Sequence, residues 1–242
     1  MKKKNLSISF IFPIYNEQKR LKFLFKNIAQ YEKNNNGCEY IFVNDGSKDK
    51  SLRYILKFIK NKNKNKKYKL ISYRKNMGKG YALKKGVQQA NKHWILTLDT
   101  DLSVELLQIN NWFKSYNLNY NAVYFGSRNH IKSVLDAKLY RKVMGSILNI
   151  FLKVVFEKMM YKIKDTQCGF KLYPKKIAKE IFKNIFTFNF AHDIEILVKL
   201  DKKKIKVIEL PVNWKHYDNS KVNIILDSLK IIYSIYKIKR NL

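Results

Sequence analysis

The chain has 242 residues, of which 46% are hydrophobic and 14% aromatic. Intrinsically disordered proteins have far fewer apolar residues, so this composition excludes that class and predicts a packed core. Fifty lysines and arginines against 18 acidic residues give a net charge of +32. That charge favours an anionic partner: a phosphorylated molecule, an acidic membrane surface or a nucleic acid. Surface lysine that accumulates without any partner would explain the same charge.

Cysteine content and hydropathy indicate the cellular compartment in which the protein is expected. Cys38 and Cys168 are the only cysteines, which is too few for a disulfide framework or a tetrahedral zinc site. A reducing, cytoplasmic environment is therefore expected. No stretch approaches the roughly 20 apolar residues that span a bilayer. We expect neither a signal peptide nor a transmembrane helix, although the protein can still lie on a membrane.

The N-terminal half alternates between strand and helix patterns. Short apolar or β-branched runs end in turn residues, and the segments between them repeat apolar residues at helical spacing. The predicted strands are 6–12, 39–44, 70–73, 94–98 and 122–125, and the predicted helices are 20–31, 52–59 and 80–90. The lysine- and asparagine-rich run 60–67 is predicted to be a loop. This alternation predicts βαβ units and an α/β fold with a mostly parallel sheet.

The C-terminal half has a different pattern. Residues 139–164 are both apolar and basic, which favours a segment that lies on an anionic lipid surface; a helical pair that covers its own core is the alternative. Helices are predicted over 175–184 and 193–200, a strand over 207–212 and an amphipathic helix over 222–239. We expect one compact domain over 1–220 and a C-terminal amphipathic extension over 221–242.

Two carboxylates follow the predicted strand 94–98. Asp99 and Asp101 flank Thr100, and the side-chain period of an extended chain places both carboxylates on one side. Two like charges so close together are unfavourable unless a cation or hydrogen-bond donors offset them. A divalent ion that bridges to a diphosphate would do so. The alternative is a pair of loop carboxylates that cap the next helix.

Three more loops with polar side chains follow the other predicted strands. They are PIYNE at 13–17, VNDGSKD at 43–49 and NMGKG at 76–80. In an open α/β sheet, ligands bind beyond the carboxyl ends of the strands. Glycines beside a helix N-terminus let the backbone approach a phosphate, and Lys79 adds positive charge there. Each loop could be an ordinary turn, with Asp49 capping the following helix, but four on consecutive strands indicate a binding site.

Together with DTD at 99–101, these motifs continue in order with GSR at 126–128, DTQCGFK at 165–171 and HDIEIL at 192–197. The chain thus resembles the family 2 glycosyltransferases of GT-A fold, which implies a Rossmann-like, mostly parallel sheet flanked by helices. DTQCGFK and the later 219–221 are most similar to dolichyl-phosphate β-glucosyltransferases, with the mannosyltransferases as close relatives. Asn44 and His192 depart from the family pattern, which often has aspartate and an apolar residue there.

The resemblance implies a role for each matched position. Asp99 and Asp101 would hold Mg²⁺ or Mn²⁺, and Asp101, Asp193 and Arg128 would be the catalytic residues. The donor nucleotide-sugar would contact Pro13, Tyr15, Glu17, Asp45, Lys79, Asp99, Thr100, Gln167 and Gly169. The acceptor would contact Arg128, Arg141, Ser220 and Lys221. Glu195 belongs to the same acidic motif as Asp193.

The reaction implied is the transfer of a hexose from UDP-glucose to a polyprenyl phosphate, with inversion, at the cytoplasmic face of a membrane. A phosphate monoester is largely dianionic at pH 7 and needs no base, whereas a hydroxyl acceptor needs a carboxylate such as Asp193. GDP-mannose as donor and a sugar hydroxyl as acceptor remain alternatives. A nucleic-acid-binding protein would suit the charge, but no zinc or helix-turn-helix motif supports it, and no nucleic acid is expected.

Overall fold

The computed structural model describes residues 6–62, 67–136, 163–189, 191–215 and 224–241. Its strands are β1 (Ile8–Ile14), β2 (Glu39–Asp45), β3 (Tyr68–Tyr73), β4 (Trp94–Thr97), β5 (Ala122–Ser127), β6 (Val134–Asp136), β7 (Lys171–Pro174), β8 (Lys206–Pro211) and β9 (Asn213–Lys215). Its helices are α1 (Gln18–Glu32), α2 (Ser51–Lys62), α3 (Lys79–Gln89), α4 (Gln108–Ser115), α5 (Lys175–Lys183), α6 (His192–Lys202) and α7 (Ile224–Asn241).

Seven of these strands form one sheet in the order β3-β2-β1-β4-β7-β5-β8. Strand β7 runs antiparallel to both of its neighbours, and every other pairing in the sheet is parallel. The carboxyl ends of β1, β2, β4 and β5 therefore meet at one edge of the sheet. Strands β6 and β9 pair separately as a small parallel sheet. The predicted mostly parallel α/β fold is confirmed.

Helices cover both faces of the sheet because its strands are apolar on both sides. In β1, Phe10 and Phe12 belong to one buried cluster and Ile11 to the other. Helix α1 buries Leu21, Leu24, Ile28 and Tyr31, which confirms the helical spacing read from the sequence.

The structure adds elements that the sequence pattern did not predict, namely α4, β6, β7 and β9. Strand β7 has only four residues, including Lys171 and Pro174, so it lacks an apolar alternation. The predicted loop 60–67 is partly wrong, because α2 continues to Lys62. Most of the basic apolar segment, 139–162, lies outside the described residues. Among those described, no helix is both long enough and apolar enough to cross a membrane.

The C-terminal helix α7 extends to Asn241, close to the predicted range. Ile235 and Ile238 are buried in the same cluster as residues of the central sheet. The last turns of the helix are therefore anchored on the domain. The division of the chain at residue 220 stays a prediction.

A buried carboxylate ties the strands together at the edge opposite their carboxyl ends. Glu39 accepts hydrogen bonds from the Ser9 hydroxyl at 2.6 Å and from the backbone N–H of Asn91 at 2.6 Å, and it pairs with Lys69 at 2.7 Å. Burial alone would raise the pKa of Glu39, but these partners outweigh burial and hold that pKa below its ordinary value. The ionised form of Glu39 is thus the stable one in the fold.

We predict that Glu39→Gln lowers the free energy of unfolding by about 1–3 kcal/mol at pH 7. A carboxyl group with a lowered pKa stabilises the fold above its ordinary pKa of about 4.3, and that contribution is lost as the pH falls further. The difference between the variant and the wild type should therefore shrink below that pH. Urea unfolding from pH 2 to 8 measures it, with Asp201→Asn, at an exposed position of α6, as control. A difference that is constant with pH would contradict the prediction.

Candidate active site

The loop after β4 is fixed against the end of β1. The Thr100 hydroxyl donates a hydrogen bond to the carbonyl of Pro13 at 2.8 Å. The Asp101 carboxylate accepts a hydrogen bond from the backbone N–H of Ser103 at 3.0 Å. Asp101 therefore stabilises its own loop through one of its two oxygens, but it does not cap α4, which begins at Gln108 and whose N-cap residue, Leu107, makes no side-chain hydrogen bond. The loop holds both carboxylates at the edge where the strands end.

Asp99 meets the N-terminus of α3 and a glycine from the other half of the chain. Its Oδ1 lies 2.6 Å from Lys79 Nζ. Burial lowers the pKa of Lys79, but the charges of Asp99, Asp193 and Asp101 outweigh burial and raise it. A Cβ on Gly169 would lie only 2.3 Å from Asp99 Oδ2. Because Gly169 has no side chain, the Asp99 carboxylate can occupy the space beside it.

Asp45, at the end of β2, holds the glycine-containing turn before α3. One carboxylate oxygen accepts a hydrogen bond from the backbone N–H of Met77 at 2.7 Å, and the other accepts from Gly78 at 2.9 Å and from the Asn76 side chain at 2.9 Å. Gly78 has a φ of 98° and lies against the carbonyl of Phe188, so a side chain would not fit there. Asp45 therefore shapes the site in addition to any contact with a nucleotide.

The loops after β1 and β2 are bonded to each other. Asn16 accepts a hydrogen bond from the backbone N–H of Lys48 at 2.8 Å, and its own N–H donates to the Ser47 hydroxyl at 3.0 Å. Asp49 accepts from the N–H groups of both Ser51 and Gln18, which confirms its capping role for α2. The Glu17 carboxylate pairs with Arg20 at 3.1 Å. Tyr15, the residue before Asn16, is 37% exposed.

Arg128, just after β5, is held by Asp165. Its Nε and Nη2 donate to the two carboxylate oxygens of Asp165 at 2.7 and 2.8 Å, and its backbone N–H donates at 2.9 Å. Glu209 in turn accepts from the backbone N–H of Asp165 at 2.8 Å. The Trp214 ring lies 6.0 Å from the guanidinium. The guanidinium is therefore fixed in orientation, while a third of the Arg128 side chain remains exposed.

Asp193 forms a buried ion pair with Lys171. The ammonium of Lys171 contacts Asp193 Oδ1, donates to the carbonyl of Thr166 at 3.0 Å and lies 4.8 Å from the Phe125 ring centre. Burial raises the pKa of Asp193, but the charges of His192, Lys171 and Lys79 outweigh it and hold that pKa below its ordinary value. Burial lowers the pKa of His192, whose Nδ1 lies 2.8 Å from the carbonyl of Asn189.

Glu195, from the same motif, supports the backbone. It is fully buried, accepts hydrogen bonds from the backbone N–H groups of Phe186 and Thr187, and pairs with Lys199 at 2.6 Å. Its partners all belong to α6 and the loop before that helix. Glu195 therefore stabilises the loop that packs against Gly78 and Gly80.

The fold thus brings several predicted site residues together. At the carboxyl edge of the sheet, Asp99 contacts Lys79 and lies against Gly169, and Thr100 contacts Pro13. Gln167 and Arg128 share Asp165 as a hydrogen-bond partner, because Asp165 Oδ1 also accepts the Gln167 N–H, at 3.2 Å. The remaining acceptor positions, Arg141, Ser220 and Lys221, lie outside the described residues.

Sequence reasoning gave no role to the residues that position the charged groups: Lys171, Asp165 and Glu209. Lys171 and Asp165 are the last and first residues of the quoted motif DTQCGFK. A lysine in the apolar run 170–173 was the available signal, since a buried lysine requires a partner. The partner, Asp193, is supplied by a distant helix and could not be read from the strand itself.

Comparison with known proteins identifies the class. The family model "Glycosyl transferase family 2" matches residues 9–182. A dolichyl-phosphate beta-glucosyltransferase of Trichomonas vaginalis is 34% identical over 92% of this chain and 70% of its own length. The dolichyl-phosphate beta-glucosyltransferase of Dictyostelium discoideum is 31% identical over 97% of this chain and 74% of its own length. The chain therefore belongs to glycosyl transferase family 2 and is a glycosyltransferase.

Solved structures show the same fold. Glucosyl-3-phosphoglycerate synthase from Mycobacterium tuberculosis, in complex with Mn²⁺, UDP and glucosyl-3-phosphoglycerate, superposes with a TM-score of 0.71. The two chains are 12% identical, and the match covers 96% of this chain and 80% of the synthase. The expected GT-A fold is confirmed, and the curated relatives confirm the resemblance to dolichyl-phosphate β-glucosyltransferases.

We predict that Lys171→Met lowers the free energy of unfolding by about 3–5 kcal/mol, because it removes the hydrogen-bonded cation that pairs with the buried Asp193 charge. The double variant Lys171→Met/Asp193→Asn should recover a large part of that loss, since no unpaired charge remains. Urea unfolding of the two single variants and the double variant measures the coupling. Additive losses would show that the pair is not coupled.

Proposed function

We propose that this glycosyltransferase moves glucose, with inversion, from UDP-glucose to a dolichyl-type polyprenyl phosphate at a membrane surface. The names of the curated relatives support the sugar and the acceptor, since those at 30–34% identity over about nine-tenths of the chain or more are dolichyl-phosphate beta-glucosyltransferases. The ion pair between Asp193 and Lys171 carries the argument for the acceptor.

That ion pair makes Asp193 a poor general base. The carboxylate is buried and bound to Lys171, and its lowered pKa weakens its affinity for a proton. A hydroxyl acceptor must lose a proton as it attacks, so it would need a better base. A phosphate monoester is already largely dianionic at pH 7 and attacks without losing a proton. With a phosphate acceptor, Asp193 therefore orients neighbouring groups and does not remove a proton.

A divalent cation fits the residues present. Among the described residues, no cluster of three or more acidic, histidine or cysteine side chains could hold a metal ion. Asp99 and Asp101 nevertheless supply two carboxylates, and Mg²⁺ or Mn²⁺ binds through one or two carboxylates completed by substrate phosphates. Glucosyl-3-phosphoglycerate synthase, which has the same fold, has been crystallised with Mn²⁺ and UDP-glucose. The ion would neutralise charge on the leaving diphosphate.

The chain's own residues account for the remaining steps. Lys79 is charged and lies at the N-terminus of α3, where it would attract the donor diphosphate. Arg128 keeps donors that Asp165 does not use, and these would bind the acceptor phosphate. An oxygen of that phosphate attacks the anomeric carbon, the bond from that carbon to the diphosphate breaks, and UDP leaves. Pro13, Tyr15, Glu17, Asp45 and Gln167 remain proposed donor contacts.

The proposed acceptor determines where the enzyme would act and which surface it would bind. A polyprenyl phosphate lies in a bilayer, so the enzyme would act as a peripheral protein on the anionic, cytoplasmic face of a membrane. The net charge of +32 suits that surface. Arg141, Ser220 and Lys221 are proposed to complete the acceptor site.

We predict that the purified protein transfers label from UDP-glucose to dolichyl phosphate with Mn²⁺ or Mg²⁺, and that EDTA abolishes the transfer. The rate at subsaturating acceptor should rise with pH through about 6, where the phosphate becomes dianionic, and then level off. Label extracted into organic solvent is the measurement. Transfer from GDP-mannose instead would change the donor, and label on a sugar hydroxyl would refute the acceptor.

We predict that Gly169→Ala reduces transfer by about 100-fold, because its methyl group displaces the Asp99 carboxylate from its position. Binding of UDP measured by calorimetry should lose its dependence on Mn²⁺. Cys168→Ala is the matched control, since it alters the neighbouring residue and leaves room for Asp99. Unchanged Mn²⁺ dependence in Gly169→Ala would contradict a metal role for Asp99.

A further inference from the structure

The turn that leads from β5 into β6, residues 128–134 with the first residue of β6 included, exposes apolar side chains. Ile131 is 94% exposed and Val134 is 65% exposed. Single exposed apolar residues are common on protein surfaces and by themselves require no partner. This turn differs from a mobile loop tip, because hydrogen bonds fix its backbone.

Those hydrogen bonds connect the turn to both ends of its own loop and to Val212, the residue between β8 and β9. The Ser133 hydroxyl donates to the carbonyl of Ser127 at 2.6 Å, and the N–H of Ser133 donates to the carbonyl of His130 at 2.9 Å. Val134 donates to the carbonyl of Val212 at 3.2 Å, and Val212 donates back to the Ser133 hydroxyl at 3.0 Å. The turn therefore holds Ile131 away from the core.

The position of the turn indicates what it meets. Ile131 follows Arg128 by three residues, and Asp165 fixes the guanidinium of Arg128. The turn thus stands beside the residue proposed to bind the acceptor phosphate. Three exposed lysines lie in the turn or on segments paired with it: Lys132 in the turn, Lys164, whose carbonyl accepts a hydrogen bond from Asn129, and Lys215, paired in register with Asp136.

We infer that this turn is a membrane-contact element, in which Ile131 and Val134 enter the interface of an anionic lipid surface. The inference rests on the proposed lipid-phosphate acceptor. Apolar side chains beside several lysines match an interface of apolar chains beneath anionic head groups. The contact would place Arg128 at the depth of the head groups, where the phosphate of a polyprenyl chain lies.

A fluorescent label at position 131 tests the contact. The native cysteines are both buried, so Ile131→Cys can be labelled selectively with an environment-sensitive dye. On vesicles of phosphatidylcholine and phosphatidylserine, without donor or dolichyl phosphate, its emission should shift to the blue. Asn121→Cys is the matched control, because Asn121 is exposed just before β5, at the opposite edge of the sheet.

The two labelled variants separate the possible occupants. The inference would be overturned if the protein co-sediments with vesicles while the emission at position 131 does not shift. Equal shifts at positions 131 and 121 would also overturn it. A blue shift that appears without vesicles and grows with protein concentration would assign the surface to a second protein molecule, and would also overturn it.

Unlabelled variants measure the contribution of Ile131. Ile131→Ser should weaken binding to anionic vesicles by roughly tenfold, whereas Ile131→Leu should retain it. Neither variant should change the thermal midpoint, because the side chain is exposed. A lower midpoint with unchanged vesicle binding would show that another part of this chain covers Ile131, and the inference would be wrong.

These measurements are independent of catalysis. Transfer to dolichyl phosphate without a shift at position 131 would leave the proposed function standing and remove the membrane-contact element. A shift at position 131 without transfer would support the membrane contact and count against the proposed function.

Discussion

The candidate active site depends on one repeated interaction, in which a buried carboxylate accepts hydrogen bonds from backbone N–H groups of a loop. Asp45 holds the turn before α3, Asp165 holds the backbone of Arg128, and Glu195 holds the loop before α6. Such charge-assisted bonds are stronger than neutral ones. They fix loops that carry no regular structure, so the groups of the site are in place before any ligand binds.

The acidic residues at this edge of the sheet fall into two groups, buried carboxylates that support the structure and an exposed carboxylate that can bind a ligand. The chain has only 18 acidic residues, and the buried ones at this edge of the sheet are bound to backbone N–H groups or to lysine or arginine side chains. Asp99 differs in its exposure, because its side chain is 40% exposed while it pairs with Lys79 at the N-terminus of α3. This difference in exposure supports the proposal that a divalent ion binds at Asp99 and Asp101 and not at the other carboxylates nearby.

Sequence reasoning predicted the alternation of strands and helices and the site loops, because apolar periodicity and turn residues are local signals. It missed β7, a short strand inserted antiparallel between β4 and β5. Nothing local marks that pairing, since β7 is stabilised by neighbours distant in the chain. It also left Glu195 among the site's acidic residues, whereas burial and backbone partners make Glu195 a support for the loop.

The fold class, the family and the residue types at the site can be read from the amino-acid sequence, because motifs keep their order and spacing along the chain. The protonation and orientation of each group depend on contacts that form on folding. Asp193 is a weak base because Lys171, 22 positions away, lies against it in a buried environment. Arg128 is fixed because Asp165, 37 positions away, faces it. Protonation and orientation depend on such partners, which folding alone brings together.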